Sequence, residues 1–236
     1  MITKSRIWLI ISIAMGLVLI LSNSCKKDNP AQTIKLYSAI DGDGNIYGTV
    51  IIGTQVWLTE NLKTTKYLNG DLIGTTTPAE LDINDEVTPK YQWAYAGNED
   101  NVSTYGRLYT WYAITDTRKV CPKGWHVPSD VEWLILEDYL GGYAIAGGKL
   151  KETGTTHWTA PNDVATNETG FTALPNGWRN IGLTFVNFAK FGGWWSSKEN
   201  KTADAFCKYV RYNSGAVTEE SNSKKSGIGV RCLKDQ

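Results

Sequence analysis

The stretch CPKGWHVPSDVEW, which runs from Cys121 to Trp133, constrains the fold most, because it fixes where a helix begins. Ser129 is followed three residues later by Glu132, which is the spacing of a capping box. In that motif the Ser hydroxyl accepts from the backbone N–H of the Glu, and the Glu carboxylate accepts from the backbone N–H of the Ser. Val127 and Trp133 occupy the two positions of a hydrophobic staple around this cap. The stretch therefore predicts a helix start.

The predicted helix runs from Asp130 to about Leu140, with Trp133, Leu136 and Leu140 on its inward face. Gly141 and Gly142 follow directly and are typical of a helix stop. His126 lies just before the cap, beside Pro and Trp residues. A lone His in such surroundings is more often a packed, hydrogen-bonded side chain than a ligand, so we interpret His126 as structural.

Outside this helix the chain shows short apolar runs between turn signals, which favour a loop-rich β or α+β fold with short antiparallel strands. Thr49 to Leu58 predicts a hairpin around Gly53-Thr54, and Asp41 to Asn45 predicts a turn. An EF-hand reading of that turn fails, because Ile46 stands where the loop needs Gly. Tyr105 to Thr115 fits either a strand or a short buried helix.

The N-terminus has the parts of a secretory signal: Lys4 and Arg6, then an apolar run from Ile7 to Leu21 that is too short to span a bilayer as a helix. Cys25 follows small residues, as in a bacterial lipobox. We predict a signal peptide over residues 1–24, lipidation of Cys25, and a flexible tether over residues 25–32 before the domain at 33–236. The predicted location is the outer membrane, with the domain facing the periplasm or the cell surface.

The formal charge is balanced, with 24 basic and 24 acidic side chains. Nucleic-acid binding rests on a strong positive field, so we predict no nucleic-acid partner. The predicted partners are the membrane, through the lipid anchor, and a glycan or surface protein.

Three cysteines remain once Cys25 is lipidated, in a setting outside the cytoplasm that permits disulfides. A bridge between Cys121 and Cys232 would close a loop of about 110 residues and contribute ~4–5 kcal/mol in the chain-entropy model. Cys207 would then be a buried thiol. A bridge between Cys207 and Cys232 across adjacent strands is the alternative.

The order of seven blocks resembles one family. The blocks are DGNIYGTVIIGTQVWLTENLKTTKY, YGRLYTWYA, CPKGWHVPSDVEW, GGKLKETGTTHW, NETGFTALPNGWRN, GGWWSSKE and SGIGVRCLKD. They resemble the Fibrobacter succinogenes major paralogous domain (FISUMP) from about Asp41 to Asp235. The family's biochemical function is largely unknown, so the resemblance informs the fold more than the activity.

The blocks GWHVPSDVEW and GVRCLKD also resemble, more distantly, C-type-lectin-like and formylglycine-generating-enzyme folds. That resemblance implies a Cys121–Cys232 bridge between the main helix and the last strand. It also implies a lectin-like module over roughly 105–236, preceded by a β-rich N-terminal part. In sugar-binding lectins, amide and carboxylate oxygens hold calcium, which is the one candidate cofactor here. Its candidate ligands are Asn162, Asp163, Asn167 and Glu168. The alternative is a loop held by side-chain-to-backbone hydrogen bonds.

Aromatic side chains in Gly-flanked, loop-like surroundings could stack on sugar rings. The candidate ligand-binding residues are Trp158, Trp178, Arg179, Trp194 and Trp195. The alternative is that most of these tryptophans fill the core of a loop-rich fold.

No catalytic motif is recognisable: GYAIAGGKL only approaches a phosphate loop, and His-Glu-x-x-His is absent. We therefore expect a lipid-anchored binding or adhesion module that contacts a glycan or another surface component, and not an enzyme. One alternative is an enzyme of the formylglycine-generating type, whose reactive cysteine would be Cys207. The other is a structural subunit of an envelope assembly.

Overall fold

Short strands and helices alternate along residues 39–236, the part of the chain that the computed structural model describes. The strands are β1 (Thr49–Ile52), β2 (Gln55–Leu58), β3 (Gln92–Trp93), β4 (Leu108–Tyr109), β5 (Trp125–His126), β6 (Trp178–Arg179), β7 (Phe185–Val186), β8 (Phe191–Glu199), β9 (Asp204–Arg211), β10 (Val217–Ser223) and β11 (Leu233–Lys234). The α-helices are α1 (Val102–Tyr105), α2 (Trp111–Ile114), α3 (Asp130–Tyr139) and α4 (Tyr143–Leu150), and 3-10 turns cover Tyr95–Gly97 and Glu99–Asn101. The predicted signal peptide, Cys25 and the predicted tether lie outside the described residues. Within the described residues no helix is long and apolar enough to cross a membrane.

The predicted helix is confirmed as α3. The backbone N–H of Ser129 donates to Glu132 Oε2 over 2.7 Å, and the N–H of Glu132 donates back to the Ser129 hydroxyl, which completes the capping box. Gly141 and Gly142 both have positive φ. Helices often end at a residue in this conformation, and glycine adopts it most easily because it has no Cβ. Trp133 and Leu136 are buried, as the predicted inward face requires.

The α+β fold class is confirmed, with the strands arranged in small antiparallel sheets. Their orders are β1-β2-β11-β5, β10-β9-β8, β3-β4 and β6-β7. The predicted hairpin forms, with Ile52 paired to Gln55 across the Gly53-Thr54 turn. Its second strand pairs with β11, so the β-rich N-terminal part shares a sheet with the last strand.

One segment, from Gly227 to Lys234, hydrogen-bonds with strands of all four sheets. Gly227 pairs with β6, Ile228 with β4 and Gly229 with β8. Leu233 lies in β11 between Trp57 of β2 and His126 of β5. The last residues of the domain therefore join sheets that are otherwise small and separate.

Helix α4 was not expected, since the prediction contained one main helix. Two adjacent glycines inside it lower helix propensity. They are required by close packing: a Cβ at Gly147 would lie 2.5 Å from the Ala216 carbonyl oxygen, and one at Gly148 would lie 2.6 Å from the Val164 carbonyl oxygen. Tertiary contacts thus override the local signal.

The cysteine pairing is resolved in favour of Cys121–Cys232. The Cα atoms of the two cysteines lie 6.0 Å apart, and their sequence separation is 111. Cys207 is free and buried. The bridge ties the loop before β5 to the loop before β11. Since β11 belongs to the segment that joins the sheets, the covalent link holds that segment in place.

Replacing both Cys121 and Cys232 by Ala should lower the free energy of unfolding by ~4–5 kcal/mol, because a loop of about 110 residues is no longer closed in the unfolded chain. Urea unfolding of wild type and double variant measures the difference. Reductant should destabilise the wild type and leave the double variant unchanged. A reductant-insensitive wild type would contradict the bridge.

Candidate functional site

Three of the candidate sugar-stacking tryptophans lie in the core. Trp158, Trp194 and Trp195 are each at most 2% exposed. Their indole N–H groups donate to oxygens inside the protein, such as the carbonyl of Tyr109, which accepts from Trp195 over 2.7 Å. The predicted ligand-binding role of these tryptophans is therefore corrected, because a ring enclosed on all sides cannot stack on a ligand.

The predicted ligand-binding role of Arg179 is also corrected, because its guanidinium is buried. It lies 4.5 Å from the Trp93 ring centroid and donates to the carbonyl oxygens of Ala79 and Leu81. Trp178 is half-buried and packs on Phe191. The buried tryptophan side chains and the Arg179 side chain thus fill the interior of this loop-rich fold.

The four candidate calcium ligands make separate local contacts. The Asn162 amide donates to two backbone carbonyls, and Asn167 exchanges hydrogen bonds with Thr172. Glu168 forms an ion pair with Lys149 at 3.1 Å, while Asp163 is exposed. Among the described residues no group of three or more His, Cys, Asp and Glu side chains is placed to hold a metal ion. The arrangement fits the alternative of a loop held by its own hydrogen bonds.

Cys207 lies inside β9, fully buried. Burial raises the pKa of its thiol to about 11, against hydrogen bonds from Tyr209 and Asn222. A reactive cysteine needs an accessible thiolate. The environment of Cys207 therefore argues against the formylglycine-generating alternative.

The sequence alone did not predict that His126 lies between two carboxylates. Its Nδ1 lies 2.7 Å from Asp235 Oδ1 and its Nε2 lies 2.8 Å from Glu132 Oε1. Both nitrogens face carboxylate oxygens, an arrangement that favours the doubly protonated imidazolium form of the ring. Asp235 is 109 residues away, and the pairing of Leu233 with His126 brings it close.

We define the His126 cluster as His126, Glu132 and Asp235, and its electrostatics favour the charged forms of His126 and Glu132. The hydrogen bond to Glu132 raises the pKa of His126 above its usual value against partial burial, and Asp235 adds to the effect. Burial would raise the pKa of Glu132, but hydrogen bonds from His126 and Ser129 outweigh it and lower that pKa to about 2. The capping carboxylate of α3 is thus also the partner of the imidazolium.

Beside the cluster lies a partly open cavity of about 410 Å³. Ile114, Val120, Trp125 and Val127 give it an apolar wall, and the polar side includes Thr117 and His126. A volume of this size and an apolar wall with a few polar groups are typical of small-ligand sites. The cavity adjoins Cys121, so the disulfide helps to form it.

The model of the family described as the Fibrobacter succinogenes major domain matches residues 50–234. The chain belongs to this family. No curated protein and no solved structure matches the chain. The FISUMP resemblance is therefore confirmed, whereas the likeness to C-type lectins finds no support, and the family description carries no activity.

The expectation that this Fibrobacter succinogenes major domain is not an enzyme is corrected. It rested on the absence of any recognisable set of catalytic residue types, and the structure brings a histidine and two carboxylates within hydrogen-bonding distance in the His126 cluster, beside a cavity. A His with a shifted pKa next to carboxylates is a common feature of acid–base sites. The sequence signal that could have pointed to it is the placement of His126 and Asp235 on the two segments that Cys121 and Cys232 join.

The His126 cluster should make stability depend on pH. An imidazolium with a raised pKa stabilises the fold fully below the unfolded value of about 6.5 and stops doing so as pH rises through the folded pKa. The advantage of wild type over His126→Gln in urea unfolding should thus be largest near pH 5.5 and shrink toward pH 9. Asp235→Asn should show part of the same trend. A difference that is constant across this range would contradict the assignment.

Proposed function

We propose that this chain is a lipid-anchored envelope or cell-surface module of the outer membrane that binds a glycan or another surface component. The observation that carries the proposal is the cavity of about 410 Å³ beside the capped start of α3. Its walls come from the α2–β5 loop, β5 and the end of β8, which the disulfide and α3 hold in place. A pre-formed cavity on rigid elements suits ligand recognition.

Two further observations support this location. The signal and lipobox pattern ends at Cys25, and a Cys121–Cys232 disulfide suits an oxidising compartment outside the cytoplasm. The balanced charge of the chain suits a neutral ligand better than a polyanion.

Lipidation is tested by palmitate labelling of cells that produce the wild type or Cys25→Ser. The wild type should incorporate label and fractionate with the outer membrane, because a diacylglyceryl group joined to Cys25 by a thioether bond holds it there. Cys25→Ser should lose the label, and Cys207→Ser should keep it. Label that persists in Cys25→Ser would contradict the anchor.

The cavity is tested by filling it. Thr117 is exposed at the cavity edge, so Thr117→Trp should occupy the space without disturbing the core. The wild type should capture envelope material from detergent-solubilised cells, and Thr117→Trp should capture at least about tenfold less, as expected when a ligand's apolar contacts are blocked. Thr54→Trp, at the exposed β1–β2 turn, is the matched control and should behave as wild type. Equal capture by all three proteins would remove the cavity from the proposal.

A second candidate function is acid–base chemistry in the same cavity, favoured by the position of the His126 cluster. Turnover of envelope glycans or peptides by the wild type and its loss in His126→Gln would support it, and turnover that survives this change would exclude it. The third reading, a structural subunit of an envelope assembly, predicts cross-links in cells to the same neighbours in wild type and Thr117→Trp.

A further inference from the structure

Four half-buried rings form an aromatic surface outside the cavity and outside the predicted tryptophan set. We define it as Tyr95, Tyr105, Phe185 and Phe188. The Phe188 ring centroid lies 4.6 Å from that of Tyr95 and 4.7 Å from that of Tyr105, and Phe185 lies 5.4 Å from Tyr95. Three separate segments thus bring their rings into one contiguous group.

The loop that carries Phe185 and Phe188 is held in an unfavourable backbone conformation. Leu183, Asn187 and Ala189 all have positive φ, a backbone conformation that residues other than glycine rarely adopt. Such conformations persist only where the surroundings impose them, and they concentrate at functional sites. The Ala189 carbonyl accepts from the N–H of Thr159 over 2.7 Å, which fixes the end of the loop.

Gly177 provides the space for this arrangement. A Cβ at this position would lie 2.6 Å from the Val186 carbonyl oxygen and 2.7 Å from Cε2 of Tyr95. Its φ of 58° is also one that glycine adopts most easily. Glycine at position 177 therefore allows Tyr95 to pack against the loop. A larger residue at this position would push the Tyr95 ring and the loop apart.

A polar edge adjoins the rings. His157 packs against Tyr105 at 5.7 Å between ring centroids, and its Nδ1 lies 2.8 Å from Glu152 Oε2. Carboxylate oxygens and ring N–H groups are suitable partners for hydroxyl groups. The edge therefore offers hydrogen-bonding groups directly beside the aromatic rings.

We infer that the aromatic surface binds the sugar rings of a neutral polysaccharide, with the His157–Glu152 pair contacting hydroxyl groups. This inference rests on the proposed binding function and names its ligand class. Aromatic faces are electron-rich and attract the C–H faces of pyranose rings, while a hydroxyl-rich ligand also uses the polar edge. A stable protein partner would bury about 800 Å² on each side, which four half-buried rings do not supply, whereas one or two sugar rings need far less.

The test uses the full-length protein in detergent, with xylan, mannan and a soluble β-glucan as probes and heparin as the polyanionic counter-probe. Affinity electrophoresis should show retardation of the wild type by at least one neutral probe and not by heparin. Phe188→Ala and Phe185→Ala should each raise Kd about tenfold or more, because one stacking face is lost. Phe188→Leu keeps apolar volume and removes the aromatic face, so it should show the same loss with an unchanged thermal unfolding curve.

Two controls separate this surface from the rest of the molecule. Tyr143→Ala removes an aromatic ring that is 66% exposed on α4 and should bind as wild type. Thr54→Trp adds a ring at the exposed β1–β2 turn, outside both the cavity and the aromatic surface, and should also bind polysaccharide as wild type.

Each remaining outcome has one meaning. Retention that is lost only in Thr117→Trp would overturn the aromatic surface and leave the proposed function in place. If no neutral polysaccharide retards the wild type while Phe188→Leu loses capture of an envelope protein, the ligand class is wrong and the proposed function stands. If the wild type binds no polysaccharide, and Phe188→Leu and the wild type capture equal amounts of envelope material, the aromatic surface is not a binding site.

Discussion

The segment from Gly227 to Lys234 hydrogen-bonds with strands of every sheet in the described part of the chain, and most of the structure depends on this arrangement. Two of these sheets have only two strands, and an isolated two-stranded pair is marginally stable at best. Joined by one extended segment, they share a single framework. The disulfide at Cys232 and the ion pair at Asp235 hold its end, so the fold closes only when its last residues are in place.

Buried cations stabilise the irregular backbone around that framework. Arg231 donates to the Asn61 amide oxygen and to two backbone carbonyls, and burial lowers its pKa to about 9. Lys151 donates to three backbone carbonyls at 2.9 Å, and burial lowers its pKa to about 8. Carbonyls in loops have no strand partner, and leaving them unpaired inside a protein is costly. Long cationic side chains therefore supply the donors that regular sheets would otherwise provide.

Local signals in the sequence were sufficient for local structure. The capping box at Ser129, the stop at Gly141 and the turn at Gly53 each predicted an element that forms, because neighbouring residues determine them. The block resemblance was sufficient for the family and pointed to the disulfide. Features that depend on distant contacts were not predictable. The two glycines inside helix α4 are required by packing against distant residues. Trp194 has Gly-flanked, loop-like surroundings in the sequence but is buried in strand β8.

The candidate sites show the same division between local and distant determinants. His126 carries no motif, and it gains Asp235 as a second carboxylate partner only when β5 and β11 pair. The aromatic surface includes Phe185 of β7, whose partner strand β6 pairs with Gly227. Both sites are therefore attached to the segment that joins the sheets. Since the Cys121–Cys232 disulfide fixes that segment, the positions of the side chains in both candidate sites depend on the bridge as well as on strand pairing.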